Sequence, residues 1–124
     1  MAGAWPYPFF TKEEMTCRCG CGRCVMQADF MLSLIRFRAV LGVPMIVNRG
    51  YSCPEHDASI RGNNSTGLHS RGRGIDVHVI YDEARDLVSL ALSIRFGGVG
   101  ICAAGPESAR FIHLDNSLFR LWTY

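Results

Sequence analysis

The stretch His69-Ser70-Arg71-Gly72-Arg73-Gly74-Ile75-Asp76 is the part of the chain around which the rest is organised. It places a histidine and an aspartate seven residues apart, a spacing that lets a loop deliver the first side chain and a strand the second. Imidazole and carboxylate are both good Zn²⁺ ligands, and a catalytic site needs a third protein ligand plus an open position for water. His113, in the strand-like run Phe111-Ile112-His113-Leu114-Asp115, is the candidate third ligand. A His and Asp pair alone is more typical of a surface ion pair, and the later His-x-Asp favours a metal site.

Strand alternation gives a geometric reason to group these residues. Asp76 and His78 share one face of their strand, and His113 and Asp115 share one face of theirs. If the two strands are antiparallel neighbours, four polar side chains meet on one patch. A half-buried strand rarely carries charge at such positions without a functional reason. We therefore expect the site on one face of a sheet.

Three motifs resemble those of a known group of enzymes. His69 to Asp76 is similar to the H-x-x-G-x-A-x-D motif of the zinc D-alanyl-D-alanine carboxypeptidases and endopeptidases, which cleave peptidoglycan peptides. The segment Asn48-Arg49-Gly50-Tyr51-Ser52-Cys53-Pro54-Glu55-His56 resembles their S-G-Y-R-x-P-x-x-N motif. Gly98-Val99-Gly100-Ile101, followed by the run around His113, completes the match. The hedgehog signalling domain shares this fold, and the resemblance runs from about Phe10 to the C-terminus.

The resemblance implies zinc-dependent hydrolysis of peptide bonds in peptidoglycan stem peptides or cross-bridges, with Zn²⁺ bound by His69, Asp76 and His113. For His78 the motif favours a neighbouring or surface position over a ligand role. The alternative is a non-catalytic module of the same fold, in which zinc is structural or absent, as in hedgehog-like recognition or a phage structural part. The presence of all three ligand types together with Asp115 favours the enzyme, whereas Ser52 and Gly67, which depart from the motifs, favour the module.

The chain departs from the family pattern at three positions. Gly74 replaces the usual Ala, Gly67 stands where a Ser often precedes the first ligand by two, and Ser52 stands where an Arg usually follows the Tyr. The last departure removes the cation that the resemblance assigns to a substrate carbonyl or carboxylate. Arg49 is a candidate to supply that charge, because guanidinium binds carboxylate in bidentate geometry. A surface salt bridge is an equally open alternative for Arg49.

Metal-bound water needs a base that takes its proton and later passes it to the leaving amine. Asp115, two residues past His113 on the same face, is the first candidate for this base. Glu107, six residues before His113, is the second, because the hedgehog-like branch places a glutamate at that offset. The alternative for Glu107 is an exposed loop residue, and His78 is the remaining candidate if neither carboxylate serves.

Apolar spacing and turn residues predict an α+β fold with a small antiparallel sheet and helices on one face. Residues 1–124 are expected to form a single zinc peptidase domain, with 1–10 as an extended N-terminal arm. A capping-box pattern begins at Thr11. Helices are predicted at 27–41 and 82–96. A short helix is predicted to start at the Ser52-x-x-Glu55 capping pattern, with Pro54 in its first turn, and to end near Ile60. Strands are predicted at 45–48, 73–80, 99–103 and 111–115, with a final edge strand within 118–124.

Six cysteines in a chain of this size call for an explanation. Cys21-x-x-Cys24 has half of a zinc-knuckle spacing, and its partners would come from Cys17, Cys19, Cys53 or Cys102, which also offer disulfides. C-x-C neighbours are awkward for one tetrahedral site holding all four loop cysteines. We favour free thiols and small buried side chains over a second structural metal.

Composition bounds the remaining function classes. The net charge of +2 is too small to indicate nucleic-acid binding, and 12 of the 13 basic residues are arginines spread along the chain. No apolar run reaches the roughly 20 residues that a membrane span needs. The first ten residues lack a basic region and a long apolar region, so no signal peptide is expected. Together with the resemblance, the missing signal peptide leads us to expect a monomer that is made in the cytoplasm and acts on peptidoglycan peptides at the cell wall. A phage lysis protein (endolysin), a virion part or a release route outside the chain would fit this combination, and the resemblance implies a phage or prophage origin.

Overall fold

The computed structural model describes residues 4–61, 67–79, 83–94, 96–103 and 105–124, and every structural statement below concerns these residues. Within them the chain forms four α-helices, five strands and one 3-10 turn, Glu107–Ala109. The helices are α1 (Lys12–Met15), α2 (Ala28–Leu41), α3 (Pro54–Arg61) and α4 (Glu83–Ile94). The strands are β1 (Ile46–Arg49), β2 (Gly74–His78), β3 (Gly98–Cys102), β4 (Phe111–Asp115) and β5 (Arg120–Thr123).

Local sequence signals set the helix ends. α1 begins with the predicted capping box, in which the Thr11 hydroxyl accepts from the Glu14 backbone N–H at 3.1 Å and the Glu14 carboxylate accepts from the Thr11 N–H at 2.7 Å. α2 ends at Gly42, whose φ of 77° is left-handed and favours glycine. The predicted helix 27–41 is confirmed as Ala28–Leu41, and the short helix predicted from the Ser52-x-x-Glu55 pattern is confirmed as Pro54–Arg61. The predicted helix 82–96 is confirmed as Glu83–Ile94, and Asp82 lies outside the described residues.

The five strands form one sheet in the order β1-β2-β4-β3-β5. Its neighbours are antiparallel except β3 and β5, which run parallel, so the sheet is mixed rather than wholly antiparallel as predicted. The reason lies in the short segment 116–119. Asp115, at the end of β4, pairs with Gly98 at the start of β3, and Arg120 pairs with the same Gly98 from the other side. The chain crosses the end of β3 and then runs in the direction of β3.

The two faces of the sheet have different roles. One face carries fully buried apolar side chains and packs against α2 and α4, and its strand residues include Ile75, Val77, Val99, Ile112 and Leu114. α2 adds Phe30, Leu34 and Phe37, which have no exposed surface. The other face carries the polar residues of β2 and β4. The predicted α+β class with helices covering one face is thus confirmed, and the opposite face is free for a site.

The N-terminal arm is not detached from the fold. Residues 4–10 form no helix or strand, as expected, but Phe10 is buried in the core and Trp5 and Tyr7 pack against it. The Trp5 indole N–H donates to the Phe10 carbonyl at 2.8 Å. Among the described residues, none of the helices has the length and apolar character needed to cross a bilayer.

The burial of α2 leads to a stability prediction. Phe30→Ala is expected to lower the free energy of unfolding by about 3–5 kcal/mol, because it leaves a cavity beside Phe96, whose ring centroid lies 6.1 Å away. Leu32→Ala on the same helix is the matched control, since Leu32 is 62% exposed and should change stability by less than about 0.5 kcal/mol. Urea unfolding measures both. Equal losses for the two variants would contradict the assignment of the core face.

Candidate metal centre

Sheet register brings the predicted strand ligands together. Asp76 of β2 lies directly opposite His113 of β4, and both side chains stand on the face away from the core. His69 comes from the turn before β2 and is 6% exposed. Its backbone carbonyl accepts from the Ser52 N–H at 3.3 Å, which ties this turn to the segment after β1. A loop delivers the first residue and strands deliver the other two, as the spacing predicts.

The three side chains converge on one point. His69 Nε2 lies 3.3 Å from Asp76 Oδ1, and His113 Nδ1 lies 2.9 Å from the same oxygen. One ligand atom from each residue can be chosen so that all three lie within 4.8 Å of one another. Two imidazole nitrogens and a carboxylate oxygen form a donor set that suits Zn²⁺ and leaves a fourth position open. The residues present therefore fit the metal that the sequence predicts.

The second nitrogen of each histidine ring has its own hydrogen-bond partner, on the side of the ring away from Asp76. His69 Nδ1 lies 2.9 Å from the Gly50 carbonyl oxygen, and His113 Nε2 lies 2.7 Å from Asp115 Oδ2. Such partners set which nitrogen carries the proton and orient each ring toward a metal. Asp115 thus contacts the nitrogen of His113 that faces away from Asp76.

Asp115 is shielded from solvent and surrounded by hydrogen-bond donors. The carboxylate has no exposed surface, and Oδ1 accepts from the Ser117 backbone N–H at 2.9 Å and from its hydroxyl. Arg120 Nη2 donates to Oδ2 at 3.2 Å. Gly98 provides the space, because a Cβ there would lie 2.2 Å from Asp115 Oδ2. The role of Asp115 as general base stays a prediction, and these contacts suit a positioning role better.

The electrostatics keep both carboxylates ionised. Burial raises the pKa of Asp76, but hydrogen bonds from His113 and His69 outweigh it and hold that pKa well below its usual range. Burial also raises the pKa of Asp115, yet the hydrogen bonds of His113 and Ser117 bring it down to about 2. Burial lowers the pKa of His113, while the hydrogen bonds of Asp115 and Asp76 raise it more. A carboxylate with a pKa near 2 is a weak base at neutral pH.

An open cavity of about 580 Å³ lies over the three candidate ligands. His69, Asp76 and His113 contribute to its wall, and the other lining residues are Arg49, Asp57, Ile60, Gly67, Leu68, Phe111, Arg120, Trp122 and Tyr124. Neither Glu107 nor His78 lines it. Glu107 lies in the exposed 3-10 turn, and His78 borders a separate groove beside Leu87 of α4. The structure does not bring these two candidates to the ligand cluster.

A bulge in β1 places Arg49 in the cavity. Val47 pairs with Val77, but the next pairing joins Arg49 to Asp76, so Asn48 is an extra residue. Strict alternation would send Arg49 to the core face, and the bulge turns it toward the site. Arg49 Nε donates to the Ser52 hydroxyl at 2.8 Å, and Nη2 pairs with the buried Asp57. Ser52, the departure from the family motif, thus anchors Arg49.

Sequence reasoning did not single out Asp57 and Arg120. Asp57 is 1% exposed and also accepts from the Gly67 N–H at 2.6 Å, which links α3 to the turn that carries His69. Arg120 lies over the Trp122 ring, 4.7 Å from its centroid. For Arg120 the sequence did contain a signal, because Arg120 and Trp122 are two residues apart on the predicted edge strand and therefore share one face of it. Asp57 gave no comparable signal, because acidic residues are common in the first turn of any helix.

Comparison with known proteins agrees with the site. No curated protein matches the chain at a significant level. A family model described as Peptidase M15 matches residues 8–115, a range that includes all three candidate ligands and nearly all of the described fold. Its members are zinc-dependent metallopeptidases, and the His69, Asp76 and His113 group could hold such a metal. The chain therefore belongs to the Peptidase M15 family.

Proposed function

We propose that the chain hydrolyses peptide bonds of bacterial peptidoglycan, in stem peptides or cross-bridges, with Zn²⁺ held by His69, Asp76 and His113. The observation that carries the proposal is the convergence of these ligands at an open cavity. A structural zinc site has four protein ligands, whereas a catalytic site has three and an open position. The presence of three candidate protein ligands, and not four, favours an enzyme over a non-catalytic module of this fold.

The chemistry divides between the metal and the chain. When bound, Zn²⁺ would supply Lewis-acid chemistry: it would polarise the scissile carbonyl and lower the pKa of water at the open position. His69 would hold the ion through Nε2 and His113 through Nδ1, because these are the nitrogens that face Asp76. Asp115 acts as a positioning residue, because it holds the proton on Nε2 of His113 and keeps Nδ1 available.

Arg49 is the proposed substrate-binding cation. Its anchors, Ser52 and Asp57, fix Nε and Nη2, and Nη1 makes no hydrogen bond within the described part of the chain. A guanidinium held in this way presents a preorganised donor to the cavity. Peptide stems offer carbonyl and carboxylate oxygens, which are the groups that such a donor binds.

Arg49→Lys tests this role. Lysine keeps the charge but loses the planar fork, so kcat/KM for muropeptides should fall about 10–100-fold, which corresponds to the 1.5–3 kcal/mol of a charged hydrogen bond. Zinc content should not change, because Arg49 is not a ligand. Arg36→Lys on the exposed face of α2 is the matched control. An unchanged kcat/KM in Arg49→Lys would assign Arg49 to the ion pair with Asp57 alone.

The function itself is tested by digestion of purified muropeptides. The protein with zinc should release products whose masses identify the cleaved bond, and removal of zinc by a chelator should stop the release. Restoring zinc should restore it. Absence of cleavage by protein that carries zinc at the three-ligand site would favour the non-catalytic module.

We further propose that residues 1–124 act as one domain and as a monomer at the bacterial cell wall, in phage or prophage lysis. The packing of Phe10 and Trp5 into the same core as α2 and α4 supports the single domain. Sedimentation at the chain mass of 13.8 kDa would support the monomer, and a larger species would contradict it.

A further inference from the structure

A second cluster of metal-binding side chains lies outside the cavity. The Sγ atoms of Cys17, Cys19, Cys21 and Cys53 all lie within 4.8 Å of one another. Cys19 Sγ is 3.5 Å from Cys17 Sγ and 3.7 Å from Cys53 Sγ. A disulfide would bring two sulfurs to about 2.05 Å, whereas four thiolates at about 2.3 Å around a tetrahedral zinc lie about 3.8 Å apart. We propose that these four cysteines bind a structural Zn²⁺.

Local backbone geometry explains how closely spaced cysteines share one ion. Gly20 and Gly22 follow Cys19 and Cys21 with φ values of 89° and 77°, in the left-handed region that favours glycine. Each glycine turns the chain after a cysteine. The Cys17 backbone N–H donates to the Arg23 carbonyl at 3.0 Å and closes the loop. The turns bring three alternate cysteines to one side.

The fourth ligand comes from a distant part of the chain. Cys53 directly precedes Pro54, the first residue of α3, and is 2% exposed. Its backbone N–H donates to Cys17 Sγ at 3.2 Å, and the Arg23 N–H donates to Cys21 Sγ at 3.4 Å. Backbone donors of this kind stabilise negative charge on sulfur. The cluster therefore has the donors that thiolates around a metal require.

The other two cysteines are excluded from the site. Cys24 is half-buried and packs against the main core, and Cys102 lies on β3, with Sγ 3.9 Å from the Ala109 carbonyl oxygen. The metal-binding group thus contains Cys21 and Cys53, not the Cys21-x-x-Cys24 pair whose spacing is half of a zinc knuckle. The four loop cysteines do not all have to bind one ion, because Cys24 packs against the main core instead.

The site would connect the cysteine loop, residues 17–23, to the wall of the cavity that holds His69, Asp76 and His113. Four protein ligands leave no open position, which is the pattern of a structural ion. The segment from Gly50 to Cys53 ends in a ligand of this site, and its Gly50 carbonyl and Ser52 N–H hold His69. A zinc on Cys53 would therefore stiffen the segment that positions His69.

Metal content of the full chain tests the proposal independently of any activity. Protein purified from zinc-containing medium should carry about two zinc ions per chain. Cys17→Ser with Cys53→Ser should carry about one and should unfold at a lower temperature, because binding to a loop couples to its folding. Cys24→Ser and Cys102→Ser are the matched controls and should keep both ions.

Cobalt substitution covers the case in which the double variant does not fold. A chain with His69→Ala and His113→Ala, loaded with Co²⁺, should show thiolate-to-cobalt charge-transfer absorption, since only the cysteines can supply sulfur ligands. Two outcomes overturn the proposal. One is cobalt spectra without sulfur ligation, and the other is a mass showing a disulfide among the four cysteines. Loss of peptidase activity with both ions retained would instead count against the proposed function alone.

Discussion

His113→Ala is expected to remove the zinc of the catalytic site and to lower peptidase activity at least about 10³-fold. The reason is that two protein ligands remain of three, while a metal supplies several kcal/mol of transition-state stabilisation and each 1.36 kcal/mol is a factor of ten in rate. The loss also leaves Asp76 without its closest partner, the Nδ1 atom 2.9 Å away. Zinc content after dialysis and muropeptide turnover measure the two effects separately.

His78→Ala is the matched control for this variant. His78 lies two residues from Asp76 on the same strand face, but it borders a different groove, so zinc and activity should both be retained. Because the cysteine site adds an ion of its own, the zinc count in His113→Ala should fall from about two to one. Full zinc retention in His113→Ala would remove His113 from the ligand set.

The elements that sequence predicted best are those with strong periodicity or paired motifs. Phe30, Leu34, Phe37 and Leu41 repeat at helical spacing; the first three are fully buried, and Leu41 at the helix end is half-buried. The alternation in β2 and β4 placed Asp76 and His113 on a common face, and the antiparallel pairing then made them direct neighbours. Patterns internal to one element sufficed for these predictions.

The features that sequence did not predict depend on contacts between elements. The bulge at Asn48 reverses the face of Arg49, and nothing in the residues of β1 alone requires it. The parallel pairing of β5 follows from where β4 ends against Gly98. Cys53 joins cysteines more than thirty residues earlier, because α1 and the cysteine loop pack beside the end of β1. Each case needs the tertiary arrangement.

The role of Asp115 is another feature that the sequence alone could not decide. Its position two residues past His113 predicts a shared face, and the structure agrees. Strand alternation does not tell which ring nitrogen of His113 faces the metal, and that detail decides between a base and a positioning residue. The ring has Nδ1 toward Asp76 and Nε2 toward Asp115, so the carboxylate stands behind the imidazole.

Asp115→Asn is therefore expected to weaken zinc binding at the catalytic site about 10–100-fold, the usual cost of losing a partner behind a ligating histidine. Asparagine keeps the shape but loses the charge that holds the proton on Nε2, so Nδ1 becomes a poorer ligand. Activity should fall at low zinc and recover in large part when zinc is raised. Zinc titration followed by activity and by metal content gives both quantities.

A general base would behave differently, and the two roles separate cleanly. If Asp115 takes the proton from water, zinc affinity stays normal and activity falls about 10²–10⁴-fold even at saturating zinc. Glu107→Gln is the companion variant, and it should change neither quantity, because Glu107 lies in an exposed turn outside the cavity. A large activity loss in Glu107→Gln at full zinc occupancy would make Glu107 the base and the hedgehog-like arrangement the closer analogue. Normal zinc affinity in Asp115→Asn would contradict the positioning role, since the 2.7 Å contact with His113 would then have no effect on the ligand it touches.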